Sequence, residues 1–252
     1  MIYIIFKHAY LNNKSVLLRL LNSILIGQNK LPNLAHHSKR YKLTMNFLSS
    51  VLLSIILIFP AFLFSQSHVE NYEHDIEKHR KNYKEEFINH PRSPITAADT
   101  GFINFFPTEH SWNIIAKFTE TPDSKAFELP TYSGLTRTYR QYGILNLHHK
   151  GIDFTLSIYQ NLGLMKDSAY KNYLFLPFTD LSNGETTYEG GRYLDFTTGD
   201  IHNNTLHVDF NKCYNPYCAY SDGYNCPVPP AENRLKIEIP AGEKKFLKER
   251  KH

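Results

Sequence analysis

The stretch TYRQYGILNLHHKGIDFTLSIY, Thr138 to Tyr159, decides the fold class. Two runs rich in β-branched and aromatic residues, Thr138–Leu147 and Ile152–Tyr159, flank HHKGID, which reads as a hairpin turn around Gly151. The same strand character recurs at Asn113–Thr119 (NIIAKFT), Tyr173–Phe178 (YLFLPF), Tyr193–Phe196, Leu206–Phe210 and Arg234–Ile239. About seven or eight strands with few helices between them predict a mainly β (α+β) domain, either an antiparallel β-sandwich or a partly open β-barrel.

Before the first strand the period is helical. Across Val69–Ile88, the residues Val69, Tyr72, Ile76, Tyr83 and Phe87 fall near one face and charged residues fill the rest. This predicts an N-terminal helix packed outside the sheet or across one mouth, stopped at His90-Pro91. In SPITAAD, Ser93 is suited to cap a helix and Pro94 to its first position, so a short helix of about two turns is expected.

Residues 45–64, MNFLSSVLLSIILIFPAFLF, form an uncharged apolar run that ends against Ser65 and Ser67. Its length and small-residue boundary predict a signal segment cleaved near Ser65–Gln66; an uncleaved anchor is the alternative. No cysteine occurs in 1–212, which excludes a lipid-modified cysteine at the boundary. Residues 1–44 carry seven Lys/Arg and no Asp or Glu; the expectation is that translation starts at Met45, with an unusually long basic n-region as the rival account. The expected organisation is an upstream extension (1–44), a signal peptide (45–65), a helix (66–92) and a single β-rich domain (93–252). The predicted location is the periplasm or the cell exterior.

Charge supports this division. The chain has 28 Lys/Arg against 24 Asp/Glu; without the seven basic residues of 1–44 the balance becomes 21 against 24. The basicity belongs to that first segment, and no basic tract marks a nucleic-acid surface. Membrane contact is expected only through the signal segment before cleavage.

Two segments, YLFLPFTDLSNGETTYEGGRYLDF (173–196) and VDFNKCYNPYCAYSDGYNCPVPPAENRLKIEIPAGE (208–243), resemble the signature blocks of a bacterial family known as domain of unknown function 1684. The similarity extends more weakly through SPITAADTGFINFFP (93–107). It implies an uncharacterised exported protein and no particular activity. The chain departs from the family pattern at Cys213, where a small residue is usual, and at Glu189, where a third glycine usually precedes Gly190-Gly191.

The second segment holds every cysteine. Cys218 and Cys226 lie eight apart around the turn-forming SDG, and in an exported chain such a pair reads first as a disulfide. A loop this short would contribute about 2–3 kcal/mol. A metal site or a cysteine nucleophile are the alternatives, but only three cysteines exist and no histidine lies in the stretch. Cys213 reads as a small buried residue or as the partner in an intermolecular bridge.

Among polar residues, Arg192 follows two glycines; it either grips an anionic ligand or pairs with Asp209 or Glu232 to tie strands together. Asp195 and Asp209 precede Phe196 and Phe210, so their side chains point to the face opposite those rings. Asn211, Asn215 and Asn233 fit turn chemistry, and Glu232 is stiffened by Pro229-Pro230. Tyr214, Tyr217, Tyr220 and Tyr224 are either a ligand wall or the sealed edge of a core.

The chain has no G-x-S-x-G, H-E-x-x-H, P-loop or G-x-G-x-x-G motif. No cofactor or metal is expected. The leading expectation is a small-molecule or carbohydrate binding module with its site among Arg192, Asp195, Asp209, Asn211, Tyr214, Asn215, Glu232 and Asn233. Its rivals are a hydrolase using Asp195, Asp209 or Glu232 as an acid/base pair, and a cell-envelope scaffold.

Overall fold

In the computed structural model the hairpin that dominates the sequence forms the middle of the sheet. The structure describes residues 71–248, which belong to the unit Ser65–His252. The expected signal segment, its cleavage site, the start at Met45 and Val69 lie outside the described residues. Strand β3 (Thr136–His149) pairs with β4 (Ile152–Asn161), and the register His149↔Ile152 leaves a two-residue turn. Lys150 and Gly151 both take positive φ, 46° and 84°, as that turn demands.

Strand β3 is long enough to serve two partners on its other edge. Its first residues pair with β2 (Phe127–Pro130) and its later ones with β1 (Asn113–Glu120). The register shifts between Gln141 and Gly143, where a Cβ would strike the Phe118 ring and lie 2.8 Å from Thr119 O, so only glycine fits. Strands β5 (Tyr173–Phe178), β6 (Arg192–Thr197) and β7 (Thr205–Asp209) complete a seven-stranded sheet of order β6-β5-β4-β3-β1-β7, with β2 beside β3. Every pairing is antiparallel, and the sheet curls into a half-barrel.

One face carries the main core, where Ile114, Ala116, Leu145, Leu156, Ile158, Leu174, Leu176, Leu194 and Val208 pack with Phe178 and Phe210. The opposite face of β4, β5 and β6 holds a second cluster built on Tyr139, Tyr159, Phe175 and Tyr193. Strand β4 is therefore buried on both faces over its second half, whereas β1 alternates buried and exposed residues.

The helix α1 occupies 71–89. Its predicted face is the one that packs: Ile76 and Phe87 are buried, and Tyr72 and Tyr83 reach inward. Among the described residues no helix is long and apolar enough to cross a membrane.

Two expectations are corrected. The short helix after His90 is a single 3-10 element, Ala97–Phe102, capped by Thr96 and not Ser93; Asp99 accepts from the Thr96 backbone N–H at 2.9 Å. The Ser93 hydroxyl is occupied in a turn with Ile95. Arg234–Ile239 alternates like a strand but joins no ladder; it meets the chain just after β5 through a bridge at Thr179 and the Leu181 N–H to Ile237 O bond.

Asn233 explains how β4 and β5 stay joined where they diverge. Pro177 in β5 has no N–H, and the direct register of the two strands is confined to Tyr159↔Phe175. The Asn233 amide takes the missing partner's place. Its Oδ1 accepts the Ser157 N–H at 2.7 Å, and its Nδ2 donates to Ser157 O and Pro177 O at 2.8 and 2.7 Å. Asn233→Ala leaves these buried groups unpaired and should cost about 3–5 kcal/mol. Urea denaturation followed by circular dichroism checks this; a loss below about 1 kcal/mol would show the strands need no such bridge.

Candidate functional site

Most of the residues expected to bind a ligand serve the frame instead. Arg192 is fully buried, and its guanidinium faces inward. Nη2 donates to Asp180 Oδ2 at 2.6 Å and to Ile239 O at 2.8 Å, and Nη1 donates to the carbonyls of Ala241 and Glu243. Its ionic partner is Asp180, not Asp209 or Glu232. The preceding glycines are also structural. Gly191 has φ +88° and sits where a Cβ would lie 2.5 Å from Phe178 O, and a Cβ at Gly190 would meet the Tyr188 and Tyr132 rings.

The asparagines are spent likewise. Asn211 Oδ1 accepts the Glu109 N–H at 3.0 Å, and its Nδ2 donates to Glu109 O and Asp209. Asn215 donates its side-chain amide to Lys244 O at 2.8 Å. Glu232 is exposed and accepts the Tyr159 hydroxyl at 2.7 Å. Asp209 is buried, accepts the Tyr72 hydroxyl at 2.9 Å, and lies 3.7 Å from Lys212 Nζ.

Asp195 and Tyr214 are different. Both line a cleft of about 960 Å³. The helix α1 contributes His79, Tyr83 and Phe87, and the two end strands of the sheet, β6 and β7, contribute Tyr193–Phe196, Leu206 and Asp209. The Tyr-rich loop supplies Tyr214, Tyr217 and Tyr224. Asp195 is open to solvent through the mouth, opposite Phe196, which packs on the main core. The hydroxyls of Tyr173 and Tyr214 donate to its two oxygens at 2.6 and 2.7 Å. The surrounding protein pushes the Asp195 carboxyl above its ordinary value, and those two hydrogen bonds oppose the shift. Burial first, and then the Asp195 charge, hold both phenols protonated far above the usual range.

Sequence reasoning missed Glu243, which reads as a surface charge before KK but is fully buried. Oε1 accepts the Tyr220 hydroxyl at 2.5 Å, while Oε2 accepts the Tyr83 hydroxyl at 2.9 Å and the Asn215 N–H at 2.8 Å. The thiols of Cys218 and Cys226 are neighbours, the Cys226 Sγ accepting the Cys218 N–H at 3.2 Å. Contact with the Cys218 thiol, then burial, raises the Cys226 thiol pKa. Cys213 is buried against the chain at Gly242 (φ +73°), where a Cβ would lie 2.6 Å from Cys213 O; burial pushes the Cys213 thiol up to about 11. Among the described residues no cluster of three or more His, Cys, Asp and Glu side chains is set to hold a metal ion.

The family model described as "Protein of unknown function (DUF1684)" matches residues 101–244. The chain belongs to this family. A solution NMR structure of an uncharacterised protein from Haloarcula marismortui is similar, with a TM-score of 0.56 and 26% sequence identity; the match covers 73% of this chain and 99% of that one. None of the curated proteins matches. The matched residues include Asp195, Tyr214 and Glu243, whereas α1 and its Tyr83 lie outside them.

Glu243 gives a signed pH dependence. Burial raises its carboxyl from the ordinary 4.5 to about 7 against the pull of its three donors. Neutral Glu243 is thus favoured by the fold, so its contribution to stability is complete below pH 4.5 and is lost as pH rises through about 7. The shift corresponds to about 3 kcal/mol. Denaturation of wild type and Glu243→Gln across pH 4 to 8 should show the wild type losing about that much relative to the variant. Parallel curves would mean that Glu243 does not titrate in the fold.

Proposed function

We propose that this chain is an exported small-molecule or carbohydrate binding module whose ligand occupies the cleft between α1, β6, β7 and the Tyr-rich loop. The observation that carries the reading is Asp195. It is a solvent-reached carboxylate set between two phenols in an aromatic-walled cleft, with no ion-pair partner among the described residues. Aromatic faces with a few placed polar groups are the usual composition of a ligand pocket.

Hydrolysis is the weaker reading. An acid/base pair needs two carboxyls in contrasting environments close together. Of the other carboxylates along the cleft, Asp209 is held by Tyr72 and Asn211, and Asp200 caps Thr197 with bonds of 2.6 and 2.9 Å. Asp209 and Asp200 are structurally committed, and Glu86, the remaining cleft carboxylate, is exposed on α1. Glu232, the third carboxylate of the hydrolase reading, is bonded to Tyr159 and is absent from the cleft wall.

The export part of the proposal rests on the apolar run 45–64 and on the juxtaposed Cys218 and Cys226, which would close as a disulfide in an oxidising compartment. Intact mass of the exported protein, alkylated after denaturation without reductant, should show a chain beginning near Gln66 with one alkylated cysteine. Three alkylated cysteines would overturn the bridge.

Amide spectra recorded with a panel of mono- and disaccharides and small amines test the cleft. Shifts should cluster at Tyr173, Tyr193, Asp195 and Tyr214, and Asp195→Ala should weaken the binding about tenfold without lowering the melting temperature by more than a few degrees. A panel that leaves these amides unmoved would overturn the proposal.

A further inference from the structure

The hydrogen-bond inventory of the cleft specifies more than its shape. A phenol has one proton to give. Tyr173 and Tyr214 both give theirs to Asp195, at 2.6 and 2.7 Å, and both phenols stay protonated because burial and the adjacent carboxylate oppose their ionisation. Towards the cleft these two hydroxyl oxygens therefore offer lone pairs only. Each Asp195 oxygen accepts one phenol and keeps further acceptor capacity. The polar centre of the cleft is thus made of acceptors, with a negative charge and no donor of its own.

The surrounding charge points the same way. Among the described residues that line the cleft, Glu86, Asp195, Asp200 and Asp209 are acidic and Lys212 is the one Lys or Arg. Lys212 lies beside Asp209, 3.7 Å away, at the β7 end. His79, His202 and His207 line the same wall; burial and the Lys212 charge push the His79 imidazole below its ordinary pKa, which favours its neutral form.

Half-buried Tyr173 and Tyr214 present ring surface beside Asp195, and behind them lies a continuous buried aromatic layer. Phe175 and Tyr193 meet edge to face with centroids 4.8 Å apart, Tyr193 meets Tyr214 at 5.9 Å, and Tyr139 meets Phe175 at 5.9 Å. Ring faces beside a carboxylate attract organic cations. A neutral sugar can donate its hydroxyls to these acceptors, but it brings no charge to match the carboxylate.

Resting on the reading of the cleft as a ligand site, we propose that its ligand bears an ammonium or quaternary ammonium head group seated on Asp195 among these rings. A small hard metal ion would need several oxygen ligands, and a lone carboxylate with two phenols supplies a poor set. An organic cation needs only the charge and the ring faces.

The test uses tetramethylammonium and n-butylammonium as probes, with neopentyl alcohol and glucose as uncharged counterparts, titrated into the exported protein and followed by its amide spectrum and by calorimetry. The expected result is millimolar or tighter binding of the cations, with shifts at Asp195, Tyr193 and Tyr214 and a preference of about tenfold or more over the uncharged probes. Asp195→Asn, which keeps an acceptor for one phenol, should lose about tenfold in cation affinity with its melting temperature maintained. The cation affinity of the wild type should also fall as acid protonates Asp195.

If the uncharged probes bind as well as the cations, the cleft remains a ligand site and the cationic assignment is overturned. If no probe moves the cleft amides, the cationic assignment falls together with the ligand-site reading. The preference among probes is read on the wild type, so the outcome does not depend on whether the variant folds.

Discussion

The ion pair between Arg192 and Asp180 is the constraint on which the rest of this structure leans. Both side chains are withdrawn completely from water, at a desolvation cost that only near-complete pairing offsets. The pairing is supplied by backbone. Arg192 draws in the carbonyls of Ile239, Ala241 and Glu243, alternate residues of one irregular segment, while Asp180 accepts the N–H groups of Ser182 and Ile239. A segment that has no strand ladder is thereby tied to β6 through Arg192 and to Asp180. Its position places the Glu243 side chain, and Glu243 in turn receives Tyr83 from the helix and Tyr220 from the Tyr-rich loop.

Tyrosine hydroxyls bound to carboxylates recur through the fold. Tyr72 holds Asp209, Tyr83 and Tyr220 hold Glu243, and Tyr159 holds Glu232. Each such bond lets an aromatic body bury apolar area while its polar tip is satisfied by a carboxyl oxygen. Two of them, eleven residues apart on α1, fasten the helix to β7 and to the irregular segment that carries Glu243. The pair at Asp195 uses the same chemistry with a different outcome. There the carboxylate is not enclosed by the tyrosines but displayed between them, so an arrangement that elsewhere completes the frame becomes an acceptor surface.

The sequence made the strands legible through runs of β-branched and aromatic residues, whose bounds match β1 and β3 to β7 within about two residues; period-two burial is clear in β1 and late β3, whereas β5 is buried nearly throughout. The opposition of Asp195 to Phe196 was readable because successive side chains of a strand point to opposite faces. Strand β2 escaped because four residues ending in proline carry too little pattern, and LKIEI after Arg234 misled because alternation there arises without a ladder. Partner choice was not legible. Asp180 reaches Arg192 across a loop whose shape depends on the whole fold, and nothing local distinguishes it from Asp209. Glu243 was invisible for a related reason: among IPAGEKK it looks solvated, and its burial follows only once Arg192 has gathered the carbonyls around it.

The candidate site sits where the sheet runs out of partners. β6 and β7 are the two ends of the strand order, and both border the cleft together with a helix that lies outside the residues matched by the family model. The acceptor centre at Asp195 and its aromatic floor therefore belong to the family's portion of the chain, whereas His79, Tyr83, Glu86 and Phe87 come from α1. A division of this kind separates two tasks physically. On the proposed reading the sheet sets the charge and the rings around it, since Asp195, Tyr193 and Phe175 are held by strand pairing. The helix, fastened by Tyr72 and Tyr83 rather than by a ladder, would on that reading cover the part of a bound molecule beyond its head group. Variation in α1 would then change the size of what is admitted while leaving the chemistry that Asp195 recognises in place.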